Sequence, residues 1–293
     1  MKKLVIFGVG LIGGSLALAL KRTSPSLHIV GVGRSGDNMQ KAIDLGVINE
    51  AEPDPIAAIA GADVVVIATP VAQTPIILKL IENHLEAGTV VTDAGSTKGD
   101  VIACAKEILG SKFRQFVAGH PIAGAEKSGV TAARADLFDN KNVVLTPAQE
   151  TDLQALATIS QLWQIAGARV TEMSAEEHDA IFAAVSHMPH LLAFALVDDL
   201  ASRSNAKQLF SFAAGGFRDF SRIAASSPEM WRDISIANRD ALLSEISAYQ
   251  IEMALLKSLL ENNDAAGLQA LFERASEARR NWGNQHITNS DKQ

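Results

Sequence analysis

Short runs rich in Val and Ile alternate with helical patterns through the first 172 residues of the chain. Most runs are apolar throughout, which indicates strands buried on both faces by helices. The predicted strands are Leu4–Gly8, His28–Val32, Ala62–Thr69, Thr89–Asp93, Phe116–Gly119, Asn142–Thr146 and Arg169–Glu172. The predicted helices are Leu11–Lys21, Asn38–Leu45, Thr74–His84, Lys98–Leu109 and Leu153–Ala166. This alternation predicts an α/β domain with a doubly wound parallel sheet over residues 1–172.

The pattern becomes entirely helical beyond residue 173. Ser174 and Glu177 form a capping box that opens a long apolar helix, which extends to about Leu200. Pro189 lies inside this helix and predicts a kink or a break, because proline lacks the N–H that an interior helical position donates. Further helices are predicted over Asn238–Glu261 and Asp264–Arg279.

The chain is therefore expected to contain two domains. The α/β domain over 1–172 is followed by an all-helical domain over 173–282, and the polar segment 283–293 is expected to be disordered. The helical domain carries more apolar surface than a domain of its size buries within itself. We therefore expect a homodimer that forms through the helical domain.

Composition narrows the class of protein. The 293 residues carry a formal charge of −7 and only 5% are aromatic, which argues against a nucleic-acid partner. The single cysteine, Cys104, excludes an internal disulfide framework and is consistent with a reducing compartment. We therefore expect a cytoplasmic protein.

The N-terminus has some features of a secretory signal. Lys2 and Lys3 precede an uncharged stretch from Leu4 to Leu20. Four glycines interrupt this stretch, and it ends in Lys21-Arg22 instead of a small-residue cleavage site. No other apolar run is judged long enough to span a bilayer, so a soluble protein without a membrane partner is predicted.

A glycine-rich turn follows the first predicted strand and opens the first helix. Gly8, Gly10 and Gly13 have the G-x-G-x-x-G spacing of a dinucleotide-binding loop. The first glycine permits a tight turn, the second lets a pyrophosphate approach the backbone, and the third lets the helix pack closely. A Rossmann-type domain is predicted. Its expected cofactor-binding residues are Gly8, Gly10, Leu11, Ile12, Gly13, Arg34, Ser35, Thr69 and Pro70.

The end of the second strand bears on the choice between NAD and NADP. An NAD site usually places Asp or Glu there, against the ribose hydroxyls. This chain has Gly33, Arg34 and Ser35 instead. Because Arg34 can pair with a 2′-phosphate, NADP is favoured, with NAD use alongside it. Two alternatives stay open, namely that Arg34 is a solvated loop charge or that it stacks on the adenine of either cofactor.

Polar segments follow two predicted strands and interrupt the helical domain, where a core does not need them. They are Asp93–Gly99 (DAGSTKG), Gly119–Gly129 (GHPIAGAEKSG), Ser186–His190 (SHMPH) and Gly215–Arg222 (GGFRDFSR). Histidine, arginine and serine on loops at one edge of a sheet suit an anionic small-molecule substrate and proton transfer.

Together with GVGLIGGS and PEMWRD, these motifs resemble the prephenate/arogenate dehydrogenase family of tyrosine biosynthesis over nearly the whole chain. The resemblance implies an oxidative decarboxylation. Hydride leaves C4 of the cyclohexadienol ring for NAD(P), and the ring carboxylate departs as carbon dioxide. Prephenate would give 4-hydroxyphenylpyruvate and arogenate would give tyrosine, and the sequence does not distinguish between them.

The resemblance also implies roles for individual residues. His120 matches the catalytic histidine that takes the C4 hydroxyl proton, and Ser96 matches a serine that orients it. Arg222 matches the arginine that holds the ring carboxylate. The other expected substrate-binding residues are His190 and Ser186 near the substrate side chain, and Glu126 and Asp219 in an ionic cluster at the entrance.

The residues themselves leave other interpretations open. His120 is also compatible with a buried structural histidine, Ser96 with a helix N-cap, and Arg222 with a solvated surface charge. Trp231 is expected to anchor a helix rather than to line the pocket. No metal is expected, because no carboxylate completes a ligand set with the histidines of the SHMPH segment.

Two other functions fit the same two-domain pattern. A β-hydroxyacid-type or imine oxidoreductase needs a catalytic lysine on the long helix, whereas the chain has no lysine between Lys141 and Lys207. A non-catalytic dinucleotide-sensing regulator needs no histidine, serine and arginine around the nicotinamide.

Overall fold

A computed structural model of the chain describes residues 1–125 and 127–290, with side chains described up to residue 283. The chain forms two compact units, Met1–Leu242 and Leu243–Gln293. The strands are β1 (Lys3–Phe7), β2 (His28–Val32), β3 (Glu50–Ala51), β4 (Val64–Ile67), β5 (Val90–Asp93), β6 (Phe116–Pro121), β7 (Asn142–Thr146) and β8 (Arg169–Glu172). The helices are α1 (Leu11–Thr23), α2 (Gly36–Asp44), α3 (Pro55–Ile59), α4 (Thr74–Ile81), α5 (Gly99–Leu109), α6 (Leu153–Ile165), α7 (Ala175–Phe182), α8 (Met188–Ser202), α9 (Ala206–Ser211), α10 (Gly215–Ser221), α11 (Pro228–Ala237), α12 (Arg239–Glu261) and α13 (Ala265–Ser290).

All eight strands form one sheet in the order β3-β2-β1-β4-β5-β6-β7-β8. Its central strands are parallel, with Val5 of β1 beside Val30 of β2. Because side chains alternate between the two faces of a strand, Leu4 and Ile6 pack into one hydrophobic core while Val5 and Phe7 pack into another. Both faces of the sheet are therefore covered, and the predicted doubly wound α/β fold is confirmed.

One strand departs from the predicted parallel arrangement. β7 runs antiparallel to β6, with His120 opposite Val144 and Gly119 opposite Leu145. Among its described residues, the connection between these strands contains a short 3₁₀ turn at Val130–Ala132 and no crossover helix. Parallel neighbours require such a crossover, so the chain returns in the opposite direction. β8 is parallel to β7 again, because α6 connects the two.

The long apolar helix predicted from residue 174 is divided, but not at its proline. α7 begins after Ser174, whose hydroxyl accepts a hydrogen bond from the N–H of Glu177, as the capping box predicts. The helix is interrupted by a π-helical turn at Ala183–His187. Pro189 lies in the first turn of α8, where an N–H is not needed for the helical ladder. The expected interruption is therefore present, but it lies in the turn before Pro189 rather than at the proline itself.

Several short elements have no counterpart in the sequence prediction. β3 has two residues and α3 has five, so neither is long enough to show an apolar period. α3 begins instead through local chemistry, because the Asp54 side chain accepts a hydrogen bond from the N–H of Ile56 and Pro55 follows the cap. Helices α9, α10 and α11 occupy the segment between the two predicted long helices.

The segment Ala175–Ser202 is long and apolar enough, by composition alone, to cross a membrane. The expectation that only the N-terminal run approaches this length is therefore wrong. Only 28% of the stretch is buried within the chain, and Ile181 and Val185 are among its exposed side chains. His178 and His187 are buried and hydrogen-bonded to other parts of the first unit. The segment is therefore anchored to the first unit through its buried histidines and leaves an apolar side exposed.

The second unit consists of the greater part of α12 together with α13. α13 continues to Ser290, into the segment 283–293 for which disorder is predicted, and residues 291–293 lie outside the described part. Ile251, Leu260 and Phe272 are exposed on this unit, as a surface covered by a second subunit would be.

Candidate active site

A cleft of about 1440 Å³ opens where the central strands end. The strand order reverses between β1 and β4, and open α/β sheets bind their ligands at such a point, outside the carboxyl ends of the strands. The predicted site residues that line the cleft are Gly10, Leu11, Ile12, Thr69, Pro70, Ser96, His120, His190 and Arg222. The fold thus brings the predicted cofactor loop and the predicted catalytic residues together.

The loop after β1 has the shape that a dinucleotide pyrophosphate requires. Gly8 has a φ of 91°, and a Cβ on Gly13 would lie 2.3 Å from the carbonyl oxygen of Gly8, so both positions need glycine. Gly10 lines the cleft with open space beside it. Among the described residues no side chain caps α1, which leaves the first N–H groups of the helix, at Leu11 and Ile12, for an anion. These residues fit a dinucleotide.

The residues predicted to select the cofactor follow β2. Arg34 is exposed and supplies a positive charge at this end of the strand. Ser35 is the N-cap of α2, and its hydroxyl oxygen accepts a hydrogen bond of 3.3 Å from the N–H of Asn38. The Ser35 oxygen is therefore used within the protein, whereas its hydroxyl proton stays available for donation.

His120 lies near the end of β6 and contacts a chain of polar groups from α7. Its Nδ1 lies 2.9 Å from Nε2 of His178, and Nδ1 of His178 lies 2.8 Å from Oδ1 of Asp179. His178 is fully buried. Phe182 packs edge-on against the His120 ring, with 4.9 Å between the ring centroids. These contacts hold the His120 imidazole in one orientation.

The hydrogen bonds determine which nitrogen atoms carry protons. An ionised carboxylate only accepts, so Nδ1 of His178 carries the proton that it donates to Asp179. Nε2 of neutral His178 is then an acceptor, so Nδ1 of His120 is the donor in the next hydrogen bond. Nε2 of His120 is left unprotonated in a ring that lines the cleft. This atom can accept a proton from a bound ligand.

The environment keeps His120 neutral at physiological pH. Burial, together with the neighbouring His178, Lys98 and His187, lowers its pKa well below the ordinary value of about 6.5. A proton gained at Nε2 creates a positive charge, which Asp179 stabilises through His178. The arrangement provides a base that is ready at neutral pH and a carboxylate to balance the charge that it acquires.

Asp179 also connects the helical segment to the sheet. Its carboxylate oxygens accept hydrogen bonds of 2.9 and 2.8 Å from the backbone N–H groups of Lys98 and Gly99, at the N-terminus of α5. Burial raises the pKa of Asp179, but hydrogen bonds from His178, Gly99 and Lys98 outweigh it, so the pKa lies below its ordinary value. The ionised carboxylate therefore caps a helix that lies 80 positions away in the sequence.

Ser96 lines the cleft just before α5. Its alternative interpretation as a helix N-cap is wrong, because Lys98 holds the N-cap position of α5 and Asp179 supplies the capping oxygen atoms. Behind Ser96, Lys98 and Asp93 form a fully buried ion pair. Both charges belong to the DAGSTKG motif, but the sequence predicts no role for either.

His190 and Trp231 stack on one another, with 3.7 Å between ring centroids and an angle of 21° between planes. Nδ1 of His190 donates a hydrogen bond of 2.9 Å to the backbone carbonyl of Ser186, so Nε2 is the ring nitrogen that takes no part in this bond. Burial lowers the pKa of His190, and the positive charge of Arg222 lowers it further. The hydrogen bond to the Ser186 carbonyl raises the pKa but does not outweigh these two effects. Ser186 thus orients His190 through its backbone. Trp231 is buried in α11, as an anchor of that helix is expected to be.

The structure describes two of the three residues predicted to form an ionic cluster at the entrance. Arg222 begins a 3₁₀ turn after α10 and lines the cleft. Asp219 is exposed on α10, about one turn before Arg222. Glu126 lies outside the described residues. Of this cluster, Arg222 is the member that the structure places at the cleft.

His187 has a structural partner in place of a metal. Its Nδ1 accepts a hydrogen bond of 3.1 Å from the Asn238 amide, and burial lowers its pKa to about 4. The Asn238 amide also donates to the backbone carbonyl of Asp179, so it ties α11 to α7. Within the described part of the chain, no three His, Cys, Asp or Glu side chains are grouped as metal ligands.

Two family profiles match successive parts of the chain. Residues 16–172 match the prephenate dehydrogenase nucleotide-binding domain, and residues 174–274 match the prephenate dehydrogenase dimerization domain. The chain belongs to the prephenate dehydrogenase family. This membership confirms the family predicted from the motifs and disfavours the two alternative functions that share its domain pattern.

Named relatives agree with membership of the prephenate dehydrogenase family. The chain is 42% identical to prephenate dehydrogenase of Bacillus subtilis over 278 residues, which are 94% of this chain and 75% of the relative. A prephenate dehydrogenase structure from A. aeolicus, in complex with hydroxyphenyl propionate and NAD+, is 38% identical with a TM-score of 0.89, covering 96% of this chain and 98% of that one. Arogenate dehydrogenase from Synechocystis is 29% identical with a TM-score of 0.80, covering 96% and 99%.

We predict that Asp179→Asn lowers the free energy of unfolding at neutral pH by about 1.5–3 kcal/mol, because a charged hydrogen-bond acceptor is lost. Folding depresses the pKa of Asp179, so its stabilisation is fully present above the unfolded-state pKa of about 3.9 and is lost as the pH falls through the lower folded-state pKa. Urea unfolding at about pH 7, 5 and 3.5 should therefore show the variant approaching the wild type at the lowest pH.

Asp44→Asn is the matched control, because Asp44 is exposed and accepts a hydrogen bond from Gln40 of its own helix. This substitution should change the free energy of unfolding by less than about 0.5 kcal/mol at each pH. A stability difference for Asp179→Asn that stays constant across the whole pH range would contradict a role for its ionised carboxylate.

Proposed function

We propose that this chain catalyses the oxidative decarboxylation of prephenate, arogenate or both, giving 4-hydroxyphenylpyruvate or tyrosine. A nicotinamide dinucleotide, when bound, accepts the hydride that leaves C4 of the substrate ring. The observation that carries the proposal is the chain of contacts from Asp179 through His178 to Nδ1 of His120, which leaves Nε2 as the other nitrogen of a ring that lines the cleft. Family membership and relatives named for either substrate support the same reaction.

His120 is the proposed general base. Its Nε2 takes the proton of the C4 hydroxyl, and the released electron pair forms the C4 carbonyl as hydride departs. The carbon–carbon bond to the ring carboxylate then breaks, carbon dioxide leaves, and the bonding pair enters the ring. The ring becomes aromatic as this pair enters it, and the resulting phenolate oxygen then regains the proton from His120. His178 and Asp179 stabilise the transient imidazolium, and Ser96 is proposed to orient the histidine and the substrate.

Arg222 is the proposed partner of the ring carboxylate. A guanidinium offers two parallel N–H donors to a carboxylate, and this residue lies at the cleft. The substrate side chain and the entrance are assigned to His190, Ser186, Glu126 and Asp219. Because prephenate and arogenate differ only in a side-chain ketone or ammonium, the proposal covers both substrates.

NADP is proposed as a cofactor in addition to NAD. The support is the exposed Arg34 at the end of β2, where a site selective for NAD usually carries an acidic residue. The other residues proposed to hold the dinucleotide are Gly8, Gly10, Leu11, Ile12, Gly13, Ser35, Thr69 and Pro70. The A. aeolicus relative was solved with NAD+.

Residues 1–172 are proposed to bind the dinucleotide, and residues 173–282 are proposed to complete the substrate site and form a homodimer in the cytoplasm. The exposed apolar side chains of the helical segments, such as Val185 and Ile251, support a second copy as their cover. The name of the dimerization-domain profile that matches residues 174–274 supports the same assembly.

Replacing His120 by Asn should abolish the chemical step and leave binding intact, because Asn can hydrogen-bond to the C4 hydroxyl but cannot take its proton. Turnover is expected to fall about 10²- to 10⁴-fold, with NAD+ affinity within a few-fold of wild type. In the wild type, turnover should decline only well below pH 6.5, since protonation inactivates the base and the pKa of His120 is lowered by burial. Steady-state assays and a pH profile measure both effects.

The control for this variant is His84→Asn, since His84 is exposed in a 3₁₀ turn after α4. It should retain wild-type turnover. Near-normal turnover in His120→Asn would assign the base to another group, and His190 would be the next residue to replace.

Arg222→Ala should raise the Michaelis constant for prephenate or arogenate more than it lowers turnover. The substrate carboxylate is present in the ground state as well as during the reaction, so its partner contributes mainly to binding. Arg169→Ala provides a control, because Arg169 is exposed on β8 beside Asn140. A loss confined to turnover would show that Arg222 acts on the reaction rather than on binding.

Arg34→Ala should weaken NADP binding by about 1–3 kcal/mol while NAD binding stays nearly unchanged, because only NADP carries the 2′-phosphate. Fluorescence titration of both cofactors measures this, and NAD serves as the internal control. Equal losses for the two cofactors would show that Arg34 stacks on the adenine, and no loss for either would identify it as a solvated charge.

A further inference from the structure

A pair of opposite charges is completely buried behind the cleft. Lys98 and Asp93 have no exposed side-chain surface, and Nζ lies 2.5 Å from Oδ2. Removing two charges from water is costly, and well-packed apolar residues often stabilise a fold equally well, so stability is a weak reason for such a pair. Neither residue is among those that line the cleft. The contacts of the pair point to a different role.

Asp93 binds the backbone of the residue that precedes each proposed catalytic residue in the sequence. Its Oδ2 accepts a hydrogen bond of 2.8 Å from the N–H of Gly95, which precedes Ser96. Its Oδ1 accepts one of 3.0 Å from the N–H of Gly119, which precedes His120. One carboxylate therefore fixes the distance between the loop that carries Ser96 and strand β6, which carries His120.

Lys98 binds the carbonyl group of Gly119, the residue whose N–H binds Asp93. Its Nζ donates to the carbonyl oxygen of Gly119 at 2.8 Å. Paired residues of β5 and β6 end at Thr92 and Val117, so the ladder between these strands no longer holds Gly119. The ion pair takes over both backbone groups of Gly119 where the ladder stops. The N–H of Lys98 also donates to Asp179, which anchors the chain that reaches His120 through His178.

We propose that the buried Lys98–Asp93 pair is a positioning device for the reaction, which fixes Ser96 and His120 relative to each other and places a positive charge behind the base. The inference rests on the proposed function, because it takes His120 as the base. Lys98 and Asp93 are positioning residues and not catalytic ones, since they act through the backbone before Ser96 and His120.

The charge of Lys98 acts within a defined set of groups. His120 faces His178 and Asp179 from α7, His187 from the π-helical turn, and the Lys98–Asp93 pair from β5 and the loop after it. The ammonium opposes a second positive charge on His120, so it helps to keep the imidazole neutral. Removing the ammonium should therefore raise the pKa of His120.

The test compares Lys98→Met with the double variant Lys98→Met/Asp93→Asn in the full-length protein. The single variant leaves a buried carboxylate without its partner and is at risk of unfolding, whereas the double variant removes both charges. Folding is checked by circular dichroism and by cooperative thermal unfolding. Each folded variant should lose about ten- to a hundredfold in turnover through misplacement of the base, with NAD+ affinity near wild type.

The second readout does not depend on turnover. NMR titration of 13C-labelled histidine rings, with the His120 signal identified by its absence in His120→Asn, should show His120 titrating at higher pH in Lys98→Met, which loses the ammonium alone. Lys112→Met is the matched control, because Lys112 also donates to backbone carbonyls, of Glu82 and Leu85, but outside the cleft. It should leave both turnover and the His120 titration unchanged.

A folded variant, single or double, with wild-type turnover and an unchanged His120 titration would overturn the proposal. Equal changes in Lys112→Met would overturn it too, because the effect would then be general loss of stability. If the wild type turns over neither prephenate nor arogenate, the proposed function fails, while the shift in His120 titration still decides whether the pair acts on this histidine.

Discussion

The carboxylate of Asp179 makes three hydrogen bonds on which the geometry of the site depends. Two cap the first N–H groups of α5, and the third orients His178 and, through it, His120. The capped helix follows the loop that carries Ser96, so one partly buried anion fixes both that loop and His120 relative to α7. A neutral side chain in this place would leave all three of these donors without a charged acceptor.

The same arrangement places several polar groups where burial is costly. His120, His178, Lys98 and Asp93 all lie in or behind the cleft, and burial lowers the pKa of His120 well below its ordinary value. Such a site trades stability for an imidazole that is neutral at physiological pH. The chain of hydrogen bonds to Asp179 then lowers the cost of protonating that imidazole, because the new positive charge is shared with a carboxylate.

Much of this structure can be predicted from the sequence where the signal is local. His28–Val32, Asn142–Thr146 and Arg169–Glu172 match their predicted bounds, because continuous apolar or β-branched runs bounded by turns mark strands. The π-helical turn Ala183–His187 lies just before Pro189, whose missing N–H is the local signal for a distortion of this helix, but the sequence does not give its exact position. The resemblance of whole motifs led to His120, Ser96 and Arg222.

The residues that support them were missed for a physical reason. His178 and Asp179 follow the capping box that opens α7, but their partners lie 58 and 80 positions away, and no pattern along the chain reports such a hydrogen bond. The sequence did not indicate the Lys98–Asp93 pair either, since charged residues in a motif usually indicate a solvated loop. Only the fold shows that these four side chains converge behind one histidine.

The antiparallel return of β7 has a consequence for the cleft. A parallel neighbour would require a crossover helix on one face of the sheet, and the chain after His120 would then leave the carboxyl edge. Because β7 pairs directly back onto β6, the connection stays at that edge, and its Ala123, Gly124 and Lys127 line the cleft. The strand that carries His120 therefore also leads into a wall of the same cleft. This wall adds the positive charge of Lys127 to those of Arg218 and Arg222, which also line the cleft, in a chain whose net charge is −7.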